Sequence, residues 1–180
     1  MENSPKFLKS LVLVGMPGSG KTSVGAALAQ LAGLSFTDID SLIEQREGRS
    51  IPEIFAAEGE AAFRAIEAAA VAELLAGPPQ VIATGGGAFV QPGNHELVQS
   101  RAVSVWLYTD LDTLFARTAR RTNRPLLQGE DPRGKLAALL AVREPVYAKA
   151  HLAVQVDDRP VEETAARVFK AVTLYLEKAA

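Results

Sequence analysis

The chain has 180 residues, of which 48% are apolar and 22% are charged, and its formal net charge is −2. This composition is typical of a folded globular protein and excludes an intrinsically disordered chain. The lack of cysteine excludes a disulfide scaffold, thiolate metal sites and thiol catalysis, and it favours a reducing compartment. We expect a cytoplasmic protein, because the apolar run near the N-terminus is too short for a signal peptide and no stretch could span a bilayer.

The first predicted strand, residues 11–14 (LVLV), leads into the glycine-rich segment 15–22 (GMPGSGKT). This segment fits the pattern G-x-x-x-x-G-K-[ST] and opens a predicted helix over residues 20–32. In such a loop the backbone wraps around phosphate oxygens, and the helix N-terminus supplies amides and a favourable dipole. Lys21 is then placed to reach the β- and γ-phosphates, and the Thr22 hydroxyl is placed to bind Mg²⁺. The segment predicts a nucleoside triphosphate site.

A second strand is predicted over residues 34–40, which end in Asp38 and Asp40. Residues two apart in a strand face the same side, so both carboxylates are candidates for a site beyond the strand ends. One would hold metal-bound water and the other would accept a hydrogen bond from a substrate hydroxyl. The alternative is that Asp40 only caps the helix that starts at Ser41.

Two further helices follow, a short one that begins with a capping box at Ser50 and Glu53, and one over residues 60–76. The second helix carries Arg64 and Glu67, three residues apart. They are either a surface ion pair of little energetic consequence or a carboxylate clamp in which Glu67 fixes the rotamer of Arg64.

A third strand, residues 80–84, runs into the glycines at 85–87, where the backbone can approach a ligand closely. A short helix of about seven residues and a fourth strand over residues 102–108 come next. The alternative for the glycines is a plain flexible turn.

Thr109 and Asp112 form a second capping-box pattern, which predicts a helix from there to Arg120. Asp110 follows an apolar strand, as does the metal-binding acid of many NTP-hydrolysing proteins. In the first turn of a capped helix, however, its carboxylate is also explained by the helix dipole. Residues 121–134 have no consistent period and are predicted to form a lid.

The last predicted elements are a helix over residues 135–150 that contains Arg143, a strand over residues 152–156 and a helix from Pro160. Because short apolar strands alternate with helices throughout, we predict one doubly wound α/β domain with a parallel sheet.

Six segments, in this order and spacing, resemble the shikimate kinase family. They are GMPGSGKTSVG (15–25), DID (38–40), GRSIPEIFAAEGEAAFRAIE (48–67), TGGGA (84–88), RPLL (124–127) and REPVY (143–147). The resemblance covers nearly the whole chain. It implies a nucleoside monophosphate kinase-like P-loop fold with five parallel strands, and phosphorylation of the shikimate 3-hydroxyl by MgATP on the route to chorismate and aromatic amino acids.

The resemblance also implies roles for individual residues. The catalytic residues would be Lys21, Asp40 and Arg124, the last brought down by the lid. Mg²⁺ would be held by Thr22 and, through water, by Asp38. The nucleotide would be bound by Gly18, Ser19, Gly20, Lys21, Thr22, Ser23, Arg117, Arg124, Arg159 and Pro160, with Arg117 packed on adenine. Shikimate would be bound by Asp40, Arg64, Gly85, Gly86, Gly87 and Arg143, the two arginines taking its carboxylate.

Two other functions fit the phosphate loop. One is a kinase for another small acceptor, such as gluconate or a nucleotide; the other is a noncatalytic or water-hydrolysing ATP switch that uses Asp110. Nucleic-acid binding by the basic segment 117–124 is disfavoured by the negative net charge. We expect a monomer that binds a small molecule, with neither nucleic acid nor membrane as a partner.

Overall fold

Five parallel strands form the centre of the fold, in the order β2-β3-β1-β4-β5. The structure is a computed structural model that describes residues 7–119 and 130–179. The strands are β1 (Ser10–Val14), β2 (Ser35–Asp38), β3 (Gln80–Ala83), β4 (Ala102–Tyr108) and β5 (Leu152–Gln155). The predicted α/β class with a parallel sheet is confirmed.

Helices cover both faces of this sheet. They are α1 (Lys21–Ala32), α2 (Ile39–Glu47), α3 (Ile51–Ala76), α4 (Pro92–Arg101), α5 (Leu111–Ala119), α6 (Pro132–Tyr147) and α7 (Val161–Ala179). None of these helices is both long and apolar enough to cross a membrane. Residues 132–134, the end of the predicted lid, form the first turn of α6. The lid residues 121–129 lie outside the described ranges.

The central strand β1 is buried along its whole length and contributes side chains to two separate apolar cores. Leu11 and Leu13 pack with helices α1 and α7, whereas Val12 and Val14 pack with helices α2 to α6. Successive strand residues point to opposite faces of a sheet, and this alternation explains why LVLV is apolar throughout.

The helix α3 contains a break at Gly59, where φ is 83° and ψ is 173°. Two successive helices were predicted for this segment, and the break separates them. The capping box at its start is confirmed: the Ser50 hydroxyl accepts from the Glu53 amide, and the Glu53 carboxylate accepts from the Ser50 amide.

The strand β2 ends at Asp38, two residues earlier than predicted. Asp38 is the N-cap of α2, and its Oδ1 accepts a hydrogen bond of 3.1 Å from the amide of Ser41. This side-chain bond stops the strand, so Asp40 lies in the first turn of the helix. The predictions that Asp38 and Asp40 share one side of a strand, or that Asp40 is the cap, are therefore wrong.

The start of helix α5 also differs from the prediction, because Asp110 takes the place of Thr109 as the capping residue. The Asp110 carboxylate accepts from the backbone amide of Thr113 at 2.8 Å and from the Thr113 hydroxyl at 2.7 Å. These bonds lower the pKa of Asp110. Both carboxylate oxygens are thus bonded to the helix end, which supports a capping role over the metal-binding role required by the ATP-switch alternative.

Candidate active site

The phosphate loop joins the end of β1 to the start of α1 and depends on its glycines. At Gly15, with φ of 147°, an added Cβ would lie 2.6 Å from the Leu107 carbonyl oxygen. Gly20, with φ of 87°, is the N-cap of α1 and caps it without a side-chain hydrogen bond. The amides at this helix end suit an anionic ligand, since the helix dipole places partial positive charge there.

The ammonium group of Lys21 lies inside this loop. It donates to the carbonyl oxygens of Gly15 at 2.9 Å and Met16 at 2.8 Å, and the residue is 8% exposed. Ser19 is buried beneath it, while Ser23 is exposed in the first turn of α1. A positive charge therefore stands beside the amides that would face phosphate oxygens.

Thr22 and Asp38 bring two side-chain oxygen atoms together between the start of α1 and the end of β2. The Thr22 hydroxyl donates to Oδ2 of Asp38 at 2.6 Å. A hydroxyl beside a carboxylate is an oxygen donor set of the kind that Mg²⁺ prefers when it also binds phosphates and water. The two side chains fit the metal site predicted for them.

The glycine turn 85–87 lies against three charged side chains from three different helices. An added Cβ would lie 2.7 Å from Oδ1 of Asp40 at Gly85, 2.9 Å from Nη1 of Arg143 at Gly86, and 2.5 Å from Nη2 of Arg64 at Gly87. All three distances are below those that a real side chain shows, so each glycine permits a close approach. One carboxylate and two guanidinium groups therefore lie against the backbone of this turn.

Arg64 is held in place by Glu67, one turn further along α3. Its Nη1 donates to Oε2 of Glu67 at 2.7 Å, and Glu67 is only 1% exposed. Burial raises the pKa of Glu67, and the neighbouring Arg64 charge opposes that rise. The alternative of a surface ion pair is therefore wrong, and the carboxylate is placed to fix the rotamer of Arg64. Among the described residues, Nε of Arg64 has no hydrogen-bond partner.

Arg117 connects the phosphate loop to the loop that follows β5. Its guanidinium donates to the carbonyl oxygen of Gly18 at 3.5 Å and to that of Asp157 at 3.0 Å. The exposed Arg159 contacts the Asp157 carboxylate at 3.3 Å, and Pro160 immediately precedes α7. Arg117 on α5 thus lies beside the loop that carries Arg159 and Pro160, the other two residues predicted for the adenine end.

The comparisons with known proteins point to one family. The family model for shikimate kinase matches residues 17–173. The shikimate kinase of Cereibacter sphaeroides is 48% identical over 167 residues, which make up 93% of this chain and 84% of that protein. The chain belongs to the shikimate kinase family. A second relative, from Paramagnetospirillum magneticum, is 46% identical over 97% of this chain and 89% of its own length.

Solved structures of shikimate kinases have the same fold as this family member. The shikimate kinase from Acinetobacter baumannii in complex with shikimate is 40% identical, with a TM-score of 0.90 and coverage of 93% of this chain and 94% of that chain. The gluconokinase from Sinorhizobium meliloti, at 24% identity and a TM-score of 0.61 with coverage of 94% and 98%, shares the fold alone.

Two residues that contact the predicted site residues were missed by the sequence reasoning. Tyr147 is fully buried, and its hydroxyl donates to the Gly86 carbonyl oxygen. Its spacing of four residues from Arg143 on a predicted helix was a signal that both lie on one face. Asp157, which binds Arg117 and Arg159, gave no comparable signal because it lies in a short loop. Arg124, predicted for the lid, lies outside the described residues.

Proposed function

We propose that this protein transfers the terminal phosphoryl group of ATP to the 3-hydroxyl of shikimate, yielding shikimate 3-phosphate and ADP. This reaction belongs to the synthesis of chorismate and aromatic amino acids. The observation that carries the proposal is the glycine turn 85–87, where two guanidinium groups and a carboxylate meet close to a phosphate loop. That arrangement suits a small acceptor with a carboxylate at one end and a hydroxyl at the other.

The acceptor's carboxylate would be bound by Arg64 and Arg143. A planar guanidinium can donate two parallel hydrogen bonds to a carboxylate, and two of them also neutralise its charge. The backbone of Gly86 and Gly87 leaves the space that lets both groups approach. Asp40, packed against Gly85, would orient the acceptor hydroxyl and is placed to receive its proton.

The nucleotide would lie on the other side of the phosphate loop. The backbone from Gly18 to Ser23 would bind the phosphates, Lys21 would stabilise charge on the transferring group, and Arg124 would join it from the lid. Arg117 would pack on the adenine, with Arg159 and Pro160 beside it. Mg²⁺, held by Thr22 and through water by Asp38, would neutralise charge on the phosphate oxygens.

Positioning supplies most of the catalysis in such a transfer, because the transition state is loose and requires little activation of the nucleophile. The residues at the glycine turn orient the hydroxyl, and the loop residues orient the phosphoryl group. A lid that closes over both would also keep water from the phosphoryl group.

The test is an ADP-release assay with MgATP and one acceptor at a time: shikimate, quinate, gluconate, a set of nucleoside monophosphates, or none. ADP release that requires shikimate supports the proposal. Release with gluconate or a nucleotide instead would assign a different acceptor. Release without acceptor would make the protein an ATPase and remove the role of the arginine pair.

We further infer a cytoplasmic monomer with no nucleic-acid partner. The lack of cysteine suits a reducing compartment, and Arg117 of the basic segment 117–124 is engaged by the phosphate loop. Light scattering after size-exclusion chromatography would measure the molar mass; a mass of about twice that of one chain would contradict the monomer.

A further inference from the structure

The residue Tyr147 is buried beside the acceptor side of the site but has no role in the proposed reaction so far. It is fully buried at the end of helix α6, and its ring packs near Trp106, with 6.3 Å between ring centroids. Its hydroxyl is the only polar part of this side chain. A buried hydroxyl is placed where it has partners, because an unsatisfied one destabilises the fold.

The hydroxyl lies on the acceptor side of the site. It donates a hydrogen bond to the Gly86 carbonyl oxygen. Arg143 lies one helical turn before Tyr147, on the same face of α6, and the charge of its guanidinium opposes the rise in the pKa of the phenol. The same guanidinium occupies the space next to the Gly86 Cα, at 2.9 Å from an added Cβ. The Tyr147 hydroxyl and the Arg143 guanidinium therefore both lie against Gly86.

The chemistry of a phenol suits this position. A neutral phenol donates one hydrogen bond and accepts others, so it can bond to a carbonyl with its proton and to a guanidinium with its lone pairs. Burial raises the pKa of Tyr147 to about 12, although the Arg143 and Arg64 charges oppose that rise. The hydroxyl thus keeps its proton at neutral pH and remains a donor to Gly86.

We propose that Tyr147 is a positioning residue for acceptor binding: its hydroxyl holds the Gly86 backbone and the Arg143 guanidinium in the arrangement that receives the acceptor's carboxylate. This inference rests on the proposed function, since it assumes that Arg143 binds a carboxylate. Tyr147 itself touches neither the transferred phosphoryl group nor the nucleotide. It acts through Arg143 and Gly86.

The first test is Tyr147→Phe, which removes the hydroxyl but keeps the ring that packs in the core, so the variant is expected to fold. Loss of this hydroxyl removes the donor that holds the Gly86 carbonyl, and it should raise KM and Kd for shikimate by about tenfold. We expect kcat and the KM for ATP to stay within about twofold, because both depend on groups that Tyr147 does not contact. Tyr108→Phe is the matched control, since Tyr108 is partly exposed at the end of β4. It should leave both KM values unchanged.

A double-mutant cycle separates positioning from general stability. If Tyr147 acts through Arg143, adding Tyr147→Phe to Arg143→Ala should weaken shikimate binding by less than about twofold, measured by calorimetry. A full tenfold effect in that background would overturn the inference, as would an unchanged KM in the single variant. If Tyr147→Phe lowers kcat and the thermal midpoint and raises both KM values together, Tyr147 has a purely structural role.

The wild-type protein distinguishes failure of this inference from failure of the proposed function. If the wild type binds no shikimate and releases ADP independently of it, the proposed function itself fails. If the wild type behaves as a shikimate kinase while Tyr147→Phe matches it, only the role of Tyr147 is rejected.

Discussion

The phosphate loop and the glycine turn 85–87 both surround a ligand site with glycine, but they do so in different ways. In the phosphate loop, glycines adopt positive φ values so that the backbone itself can face the ligand. In the turn 85–87 the φ values are ordinary, and the missing side chains make room for charged groups from elsewhere. One region binds through its own amides, and the other admits the side chains of distant residues.

This difference determines how far each region depends on the rest of the fold. The phosphate loop is built within eight consecutive residues, with Lys21 bonded to carbonyl oxygens of its own segment. The acceptor side requires α2, α3 and α6 to meet at the end of β3. Substitutions in the loop should therefore alter phosphoryl transfer, and substitutions around the turn should alter acceptor affinity.

The largest effect is expected from Lys21→Ala. Removing this charge should lower kcat by about a thousandfold or more, since it would stabilise charge that develops on the transferring phosphoryl group. Shikimate affinity, measured by calorimetry, should stay within about threefold of wild type. Lys170→Ala, at an exposed position of α7, is the control. Undiminished turnover of Lys21→Ala would remove the lysine from the reaction.

Gly87→Ala tests the acceptor side in the opposite way, by adding an atom. The new Cβ would lie 2.5 Å from Nη2 of Arg64, so the guanidinium must move. We expect a loss of shikimate affinity of about 1–3 kcal/mol, or roughly five- to 150-fold, with little change in the KM for ATP. Gly93→Ala is a matched control, because its Cβ would meet nothing within 4 Å. Equal KM values for the two variants would contradict the role of the turn.

Arg117→Ala should affect the nucleotide alone. Loss of a cation that packs on adenine should weaken ATP binding by about 0.5–2 kcal/mol, which corresponds to a KM for ATP that is roughly two- to thirtyfold higher. The KM for shikimate should not change, since the Arg117 side chain makes its polar contacts with Gly18 in the phosphate loop and with residues 157–158 in the described part of the chain. Arg101→Ala, exposed at the end of α4, is the control. A larger effect on shikimate than on ATP would refute this assignment.

The smallest effect concerns pH. Burial raises the pKa of Glu67, so this carboxylate takes up its proton at a higher pH than an ordinary glutamate does. As the pH falls from neutrality, Glu67 loses the charge that holds Arg64, and shikimate affinity should fall by a few-fold. Glu67→Gln should bind shikimate less tightly already at neutral pH, and its shikimate affinity should change less than that of the wild type as the pH falls. If binding by the two proteins has the same pH profile, Glu67 does not control it.

The sequence predicted the parts of the molecule that depend on neighbours along the chain. The phosphate loop and the Ser50 capping box each lie within a few residues, and their hydrogen bonds are local. The predictions failed where two local patterns competed. Asp38 ends its strand by bonding to the Ser41 amide, and Asp110 displaces Thr109 as a cap because its carboxylate reaches both the amide and the hydroxyl of Thr113.

The acceptor side required more than local patterns. From the residues alone, Arg64 and Glu67 were open to two interpretations, a surface ion pair and a carboxylate clamp. The family resemblance joined them to Arg143 as residues that bind shikimate. The assignment of one glycine to each of three side chains depends on the order of the strands and on where each helix ends. Neither follows from periodicity. For the same reason the contact between Tyr147 and Gly86, 61 residues apart, was not predicted.

The glycine turn also affects how easily substitutions could make the protein resistant to an inhibitor of this site. Glycine is the smallest residue, so every substitution at positions 85–87 adds atoms where Asp40, Arg143 or Arg64 already lies. A compound that rests on this backbone keeps its contact surface unless the turn is altered, and an altered turn disturbs the groups proposed to bind the natural acceptor. Resistance by substitution here should therefore carry a loss of catalytic efficiency, which makes the turn a favourable surface against which to build an inhibitor.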